Sequence, residues 1–374
     1  MSKVIQVLKP KFRTEEILDE IRECLEKGWT GIGYKTEMIE NDWKAYSGFE
    51  YAHFLNSATS GLHLSIRIFK DVYGWTEDNE IITTAFTFVS TNHAILYERL
   101  TPVFADIDET LCLDPVSVVR SITNKTKAII YVGIGGNAAH YNEIRKICDD
   151  YNLVLILDAA HMAGTRWLTN KVHVGLDSDC AIFSFQAVKN CPSADAGMIC
   201  FKTAELDSIA RKLSWLGIDK STYSRYTESS YKWRYDIDDL GFKYHGNSIM
   251  ASICIVSLKY LEVDNEKRRE LALKYDELLN GNNRVITIKH APEVVSSRHT
   301  YQILVDNRDE FIEKLAQNNI FCGVHYVVNS DYRVYSHAKN NTRLAKYFSD
   351  KVVSLPLHLE LDNEDISRIV EVIS

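Results

Sequence analysis

No two of the eight cysteines form a Cys-x-x-Cys pair, and no histidines gather at metal-ligand spacing. Cys24, Cys112, Cys148, Cys180, Cys191, Cys200, Cys254 and Cys322 are scattered along the chain, so neither a disulfide framework nor a zinc module is expected. Buried thiols in a reducing compartment are the simpler reading. Positive charge is also short. A net charge of -8 and a pI near 5.9 argue against a footprint for nucleic acid and leave room only for a local basic pocket around a phosphorylated ligand. No apolar run approaches the ~20 residues needed to span a bilayer. Met1 to Leu8 show no signal-type apolar region with a small-residue cleavage site, so the expected address is the cytoplasm, with no membrane partner. Internal repeats and low-complexity segments are missing as well.

What the chain does have is length and apolar content. With 374 residues, 45% hydrophobic and 25% charged, it can bury a large core and divide into a larger and a smaller domain. Apolar, β-branched segments (Tyr51–Leu55, Glu80–Thr84, Pro102–Asp106, Lys127–Val132, Leu153–Leu157, Cys180–Ser184) alternate with helical patterns such as Ser60–Phe69, Thr91–Tyr97 and Asn142–Tyr151. This alternation predicts an α/β fold in which helices cover both faces of a mostly parallel sheet, with ligands at the carboxyl ends of its strands. The long helical pattern from Asn247 to Leu279 predicts a connecting helix. Short strands (Thr300–Val305, Gly323–Tyr326) and helices (Asp309–Gln317, Asp362–Val372) after it predict a smaller α+β region. The expected division is 1–246 and 247–374.

The chemistry-bearing residues stand at expected strand ends. One apolar strand closes in Asp158-Ala159-Ala160-His161, and the next leads through Ser184-Phe185-Gln186-Ala187-Val188 to Lys189. An amine and a carboxylate presented from neighbouring strand ends suit pyridoxal phosphate (PLP): the amine forms a Schiff base and the carboxylate keeps the pyridine nitrogen protonated. Ser57-Ala58-Thr59-Ser60 lie where a strand gives way to a helix, so their N–H groups and hydroxyls can cradle a phosphate. An ordinary N-cap would use the same residues.

Together these stretches resemble the DegT/DnrJ/EryC1/StrS family of PLP-dependent nucleotide-sugar aminotransferases. Further carriers of the resemblance are Gly28-Trp29-Thr30-Gly31-Ile32-Gly33, Ile81 to Phe88, Pro102 to Asp108, Gly241-Phe242-Lys243-Tyr244 and Leu355-Pro356-Leu357-His358. The resemblance implies an aspartate-aminotransferase-like fold (fold type I) and a homodimer with active sites shared between subunits. It implies Lys189 as Schiff-base lysine and general base, Asp158 as partner of the pyridinium nitrogen, and Phe88 as the ring-stacking aromatic. Ser184 is implied as a phosphate ligand beside Ser57, Ala58, Thr59 and Ser60, and His161 as a residue touching cofactor or sugar. Trp29, Thr30, His325 and Tyr326 are implied on the substrate side, with no metal.

Three departures limit this transfer. Lys243-Tyr244-His245-Gly246-Asn247 stands where many members have Asn-Tyr-Arg-Met, which makes Lys243 a candidate phosphate ligand donated by the other subunit. Gly133-Ile134-Gly135-Gly136 replaces His-Leu-Tyr-Gly and removes two side chains near the substrate. Ala194-Asp195-Ala196-Gly197 replaces Gly-Glu-Gly-Gly. The aromatic and basic stretch Thr222–Tyr226 to Tyr231–Tyr235 suits either a nucleotide diphosphate or dimer packing. The expected reaction moves an amino group from L-glutamate to the 4-keto group of a nucleotide-linked (dTDP or GDP) 4-keto-6-deoxyhexose. Amination at C3 and a non-enzymatic PLP-fold scaffold are the alternatives. Dehydration on the same scaffold is disfavoured, because the family's dehydratase route replaces the lysine with histidine.

Overall fold

A computed structural model of the chain describes residues 3–218, 237–340 and 342–374. The stretch Thr222–Tyr235 therefore lies outside the described residues. Strands β1 (His53–Leu55), β2 (Glu80–Thr84), β3 (Thr101–Ala105), β4 (Thr126–Val132), β5 (Val154–Asp158), a two-residue β6 (Arg166–Trp167), β7 (Cys180–Ser184) and β8 (Gly197–Phe201) form in that order. Between and before them run helices α1 (Thr14–Glu26), α2 (Tyr34–Ser47), α3 (Ala58–Tyr73), α4 (Val89–Tyr97), α5 (Pro115–Ser121), α6 (Tyr141–Tyr151) and, after β8, α7 (Ala204–Ser214). The remaining strands are β9 (Ile286–Thr287), β10 (Val294–Val295), β11 (Tyr301–Leu304), β12 (Lys339–Asn340) and β13 (Val352–Leu355).

The large sheet has the order β1-β8-β7-β5-β4-β2-β3-β12. Pairing is parallel from β7 through β5, β4, β2 and β3 to β12, whereas β8 runs antiparallel to both β7 and β1. Every residue of β2, β7 and β8 is buried, as strands covered on both faces must be. The expected α/β architecture is thus what the chain adopts. One smaller expectation fails: Gly323–Tyr326 is no strand, since only Gly323 bridges to Ser354 before the segment turns away towards the large sheet.

Local chemistry explains the elements nearest the strand ends. Ser57 caps α3 by accepting the Ser60 N–H at 3.1 Å, and Gly74 closes it in the left-handed conformation. On the other face of the sheet, Trp43 of α2 meets Phe183 and Phe185 edge-on at 4.7 and 5.1 Å, which pins the strand that ends at Ser184. Asn247 caps the long helix Ser248–Leu279, which packs on α1 and α2. A three-stranded antiparallel sheet, β13-β11-β9, forms the second core with the helix Asn363–Ile373. The chain then returns to the large sheet twice. Asn329 donates from its backbone to Ala85 O and from its side chain to Thr87 O, and β12 adds a parallel edge to β3. Among the described residues no helix is long and apolar enough to cross a membrane.

Candidate active site

The carboxyl ends of β4, β5 and β7 and the N-termini of α3 and α4 open on one cavity of about 460 Å³. Lys189 reaches it from a loop that extends the β7–β8 pairing, with Phe185 N bonded to Ala196 O and Ala187 N to Ala194 O. Within that loop the Lys189 N–H bonds to Gln186 O at 2.8 Å. The amine has no hydrogen-bond partner among the described residues, and burial pushes its pKa down to about 8, with Asp158 opposing. Such an amine is neutral and nucleophilic far more often than a surface lysine.

Asp158, the last residue of β5, is 5% exposed. Its Oδ2 accepts the Thr91 hydroxyl at 2.7 Å and its Oδ1 the Ala160 N–H at 3.1 Å. Burial raises its pKa, against those two donors and the Lys189 charge. A buried carboxylate with no basic side chain bonded to it among the described residues suits a cationic ring nitrogen.

The first turn of α3 contains no acid, and Ser57, Ala58 and Thr59 line the cavity there with Ser90 and Ser184 nearby. The helix N-terminus offers N–H donors and positive dipole to an anion. Thr59 Oγ1 lies 2.8 Å from Ser90 Oγ. Ser60 is not on the cavity wall. Its hydroxyl bonds instead to Asn56 Oδ1 at 2.8 Å and Ser57 O at 2.7 Å. This cradle depends on Gly197, where a Cβ would stand 2.6 Å from Ala58 N and 2.7 Å from Ser57 O. Gly197→Ala is accordingly expected to destabilise the fold by about 1–3 kcal/mol and to weaken PLP binding at least tenfold. Thermal melts and spectral titration of the cofactor check this, and an unchanged cofactor affinity would refute the cradle.

His161 is buried and also lines the cavity. Its Nδ1 accepts the Gly135 N–H at 3.1 Å, so in the neutral ring the proton sits on Nε2, 3.2 Å from the Tyr326 hydroxyl. Burial, then the charges of Lys189 and His325, keep its pKa far below the usual imidazole range. Burial likewise holds His325 down at about 4, and its Nδ1 lies 2.8 Å from Ser354 Oγ. Phe88, at the start of α4, is 56% exposed and 6.0 Å from the Tyr326 ring, so it lines the mouth and is not core.

Besides Ser60, three candidates lie off this cavity. Trp29 donates its Nε1–H to Ile32 O at 2.7 Å and packs on Gly33, and Thr30 O accepts from Ser248 N. Lys243 holds its ammonium 3.6 Å from the centre of the Trp215 ring, while its carbonyl accepts from Asn56 Nδ2 beside the start of α3. Burial lowers its pKa. Conversely, sequence reasoning missed Thr91, His299, Gln186 and the cavity-facing Asp195. Nor does the glycine stretch after β4 leave open space. A Cβ at Gly135 would meet Thr300 Oγ1 at 3.0 Å and Gln302 Oε1 at 3.1 Å, and one at Gly136 would meet Ser297 Oγ at 2.4 Å. Among the described residues no three His, Cys, Asp or Glu side chains gather as a metal set.

Comparison with known proteins gives this geometry its context. An uncharacterized protein of Methanocaldococcus jannaschii is 34% identical over 381 residues, spanning 97% of this chain and 96% of its own. Helicobacter pylori PseC, an aminotransferase involved in the biosynthesis of pseudoaminic acid, superimposes with a TM-score of 0.91 at 26% identity, covering 99% of this chain and 98% of that one. A Streptococcus pneumoniae protein described as a sugar aminotransferase and solved in its PLP form gives a TM-score of 0.88 at 28% identity, covering 99% and 97%. The DegT/DnrJ/EryC1/StrS aminotransferase profile matches residues 12–374. With the lysine, carboxylate and helix N-terminus all facing one cavity, the chain is a PLP-dependent sugar aminotransferase and belongs to the DegT/DnrJ/EryC1/StrS aminotransferase family.

Proposed function

We propose that this enzyme transfers an amino group from L-glutamate to the 4-keto group of a nucleotide-linked 4-keto-6-deoxyhexose, carried on dTDP or GDP, to give a 4-amino-4,6-dideoxy sugar. The observation that carries the reading is the Lys189 amine and the buried Asp158 carboxylate facing one cavity beside an acid-free helix N-terminus. The kinship with an aminotransferase of amino-sugar biosynthesis supports the substrate class.

Pyridoxal phosphate, when bound, withdraws electrons from the carbon that bears the migrating amino group and stores that group between the two half-reactions. Lys189 anchors the cofactor and, once displaced, moves the proton at the reacting carbon. Asp158 retains the proton on the ring nitrogen, with Thr91 and Ala160 N–H fixing both carboxylate oxygens. Ser57, Ala58, Thr59 and Ser184 hold the phosphate, with Ser60 ordering the cap behind them. Phe88 would stack on the ring, and His161 would touch the cofactor or the sugar. His325 and Tyr326 would face the sugar, while Trp29 and Thr30, off this cavity, would meet the substrate only outside it. Lys243 reaches the phosphate of a second copy in a homodimer.

A mass-spectrometric assay with PLP, L-glutamate and a panel of nucleotide-linked 4-keto- and 3-keto-6-deoxyhexoses tests this. The expected product is a 4-amino sugar. Amination of only the 3-keto substrates would overturn the assigned position, and no amination of any would overturn the substrate class.

A further inference from the structure

Leu8, Val188, Lys189 and His299 line the active-site cavity and also a second, smaller gap of about 10 Å³. A space of that size holds a single small group. Its other walls bring in three cations: Lys9 and Lys11 from the N-terminal segment, and Arg268 from the long helix Ser248–Leu279. Lys9 and Lys11 are about half exposed, and each faces the Glu360 carboxylate, at 3.8 and 3.9 Å. Arg268 is in a different position, being only 7% exposed. The acid within reach on its own helix face is Asp264, one turn earlier and in the wall of the same gap. That carboxylate is already taken, since Arg13 donates Nη2–H to its Oδ1 and Nη1–H to its Oδ2, both at 2.6 Å. Arg268 is left with one hydrogen bond, from Nη1 to the Asp264 backbone carbonyl at 3.3 Å, and no carboxylate pairs with it among the described residues. Burial pushes its pKa down to about 10, with Asp264 opposing and the Arg13 charge adding to the fall, so the guanidinium is still charged at pH 7.

We propose that this gap is a binding site for one small monovalent anion, with Arg268 as its principal ligand. A buried cation without a counter-charge is costly, and a guanidinium has five N–H donors, of which Arg268 uses one. The remaining donors face a wall whose single acid, Asp264, is neutralised by Arg13, while Lys9 and Lys11 add positive potential from the other side. The size of the gap selects the ligand: a halide or one carboxylate group fits it, and a phosphate ester or a nucleotide does not. That chemistry has two sources. One is a halide free in solution, and the other is a carboxylate of the amino donor, arriving through the active-site cavity whose wall the gap shares. Only the second source rests on the reading of the enzyme as an L-glutamate aminotransferase.

Crystals of the PLP-bound enzyme soaked in sodium bromide test the site without turnover. The expected result is an anomalous peak in the gap, within hydrogen-bond distance of the Arg268 guanidinium; an empty gap overturns the proposal whether or not any variant folds. In solution, bromide at about ten times its dissociation constant should raise the melting temperature of the parent holoenzyme by about 2 °C more than that of Arg268→Met. A crystal peak with equal melting responses in the two proteins would mean an adventitious ion only, and would overturn it too. Rapid-mixing spectra of the reaction with L-glutamate then distinguish the sources. If the donor's carboxylate occupies the site, bromide competes with glutamate in the parent, and Arg268→Met weakens apparent glutamate affinity at least tenfold and abolishes the competition. If a free halide occupies it, bromide binds without competing. No reaction with glutamate at all would remove the amino-donor reading and leave the bromide results standing.

Discussion

Lys189→Met is expected to lower amino transfer by about 10⁴-fold or more while yielding a folded protein more stable than the parent without cofactor. The first half follows from the amine's two proposed tasks, anchoring PLP and moving a proton, neither of which a thioether performs. The second half follows from burial. The folded-state pKa is about 8 against an ordinary 10.5, so below pH 8 folding forces a charged amine into a poorly solvated site. That penalty is fully present below pH 8, fades as pH rises through the folded pKa, and is gone above about 10.5. It amounts to at most about 3 kcal/mol at pH 7. Thermal melts of both proteins without PLP at pH 7 and near pH 10.5 should show the variant ahead at the lower pH and level at the higher. Residual turnover within a hundredfold of the parent would refute the role assigned to Lys189.

Asp158→Asn should lower turnover by about 10³-fold and weaken PLP binding, with little effect on the fold. An amide fits the site: its oxygen can keep the Ala160 N–H, and its nitrogen can donate to Thr91, whose hydroxyl can turn to Thr87 Oγ1 at 3.1 Å. What disappears is the negative charge. Steady-state kinetics with spectral titration of the cofactor separates the two effects, and a variant within tenfold of the parent would show that Asp158 is only a strand-end residue.

The parallel strands were legible because each is a short β-branched run between helical patterns, and Glu80–Thr84 and Cys180–Ser184 fall where the residues predicted them. Gly197–Phe201 was not seen as a strand. It pairs antiparallel with β7 after a loop, without the crossover helix that marks the others. In the site, Lys189 and Asp158 announce themselves by chemistry at strand ends. Thr91 does not, since a threonine within an apolar helix looks like filler until its hydroxyl is found on Asp158. His299 was equally silent: a lone histidine in an irregular stretch, it reaches the cavity wall only through the fold, bonded to Asn190 and stacked on His161. Gly133–Gly136 reads as two side chains fewer near the substrate, and nothing in the sequence says that Gly135 and Gly136 pack against residues distant along the chain.

That last contact has an engineering consequence. Gly135 and Gly136 have φ of 61° and 86°, and the atoms facing them belong to Ser297, Thr300 and Gln302. The loop after β4 and the entry to β11 are thus two halves of one mould. A bulkier loop grafted from a relative with another sugar preference would collide with its unchanged counterpart. Retargeting this enzyme therefore means exchanging both segments as a matched pair, and single-loop chimeras will fail by misfolding before they reveal anything about the sugar they prefer.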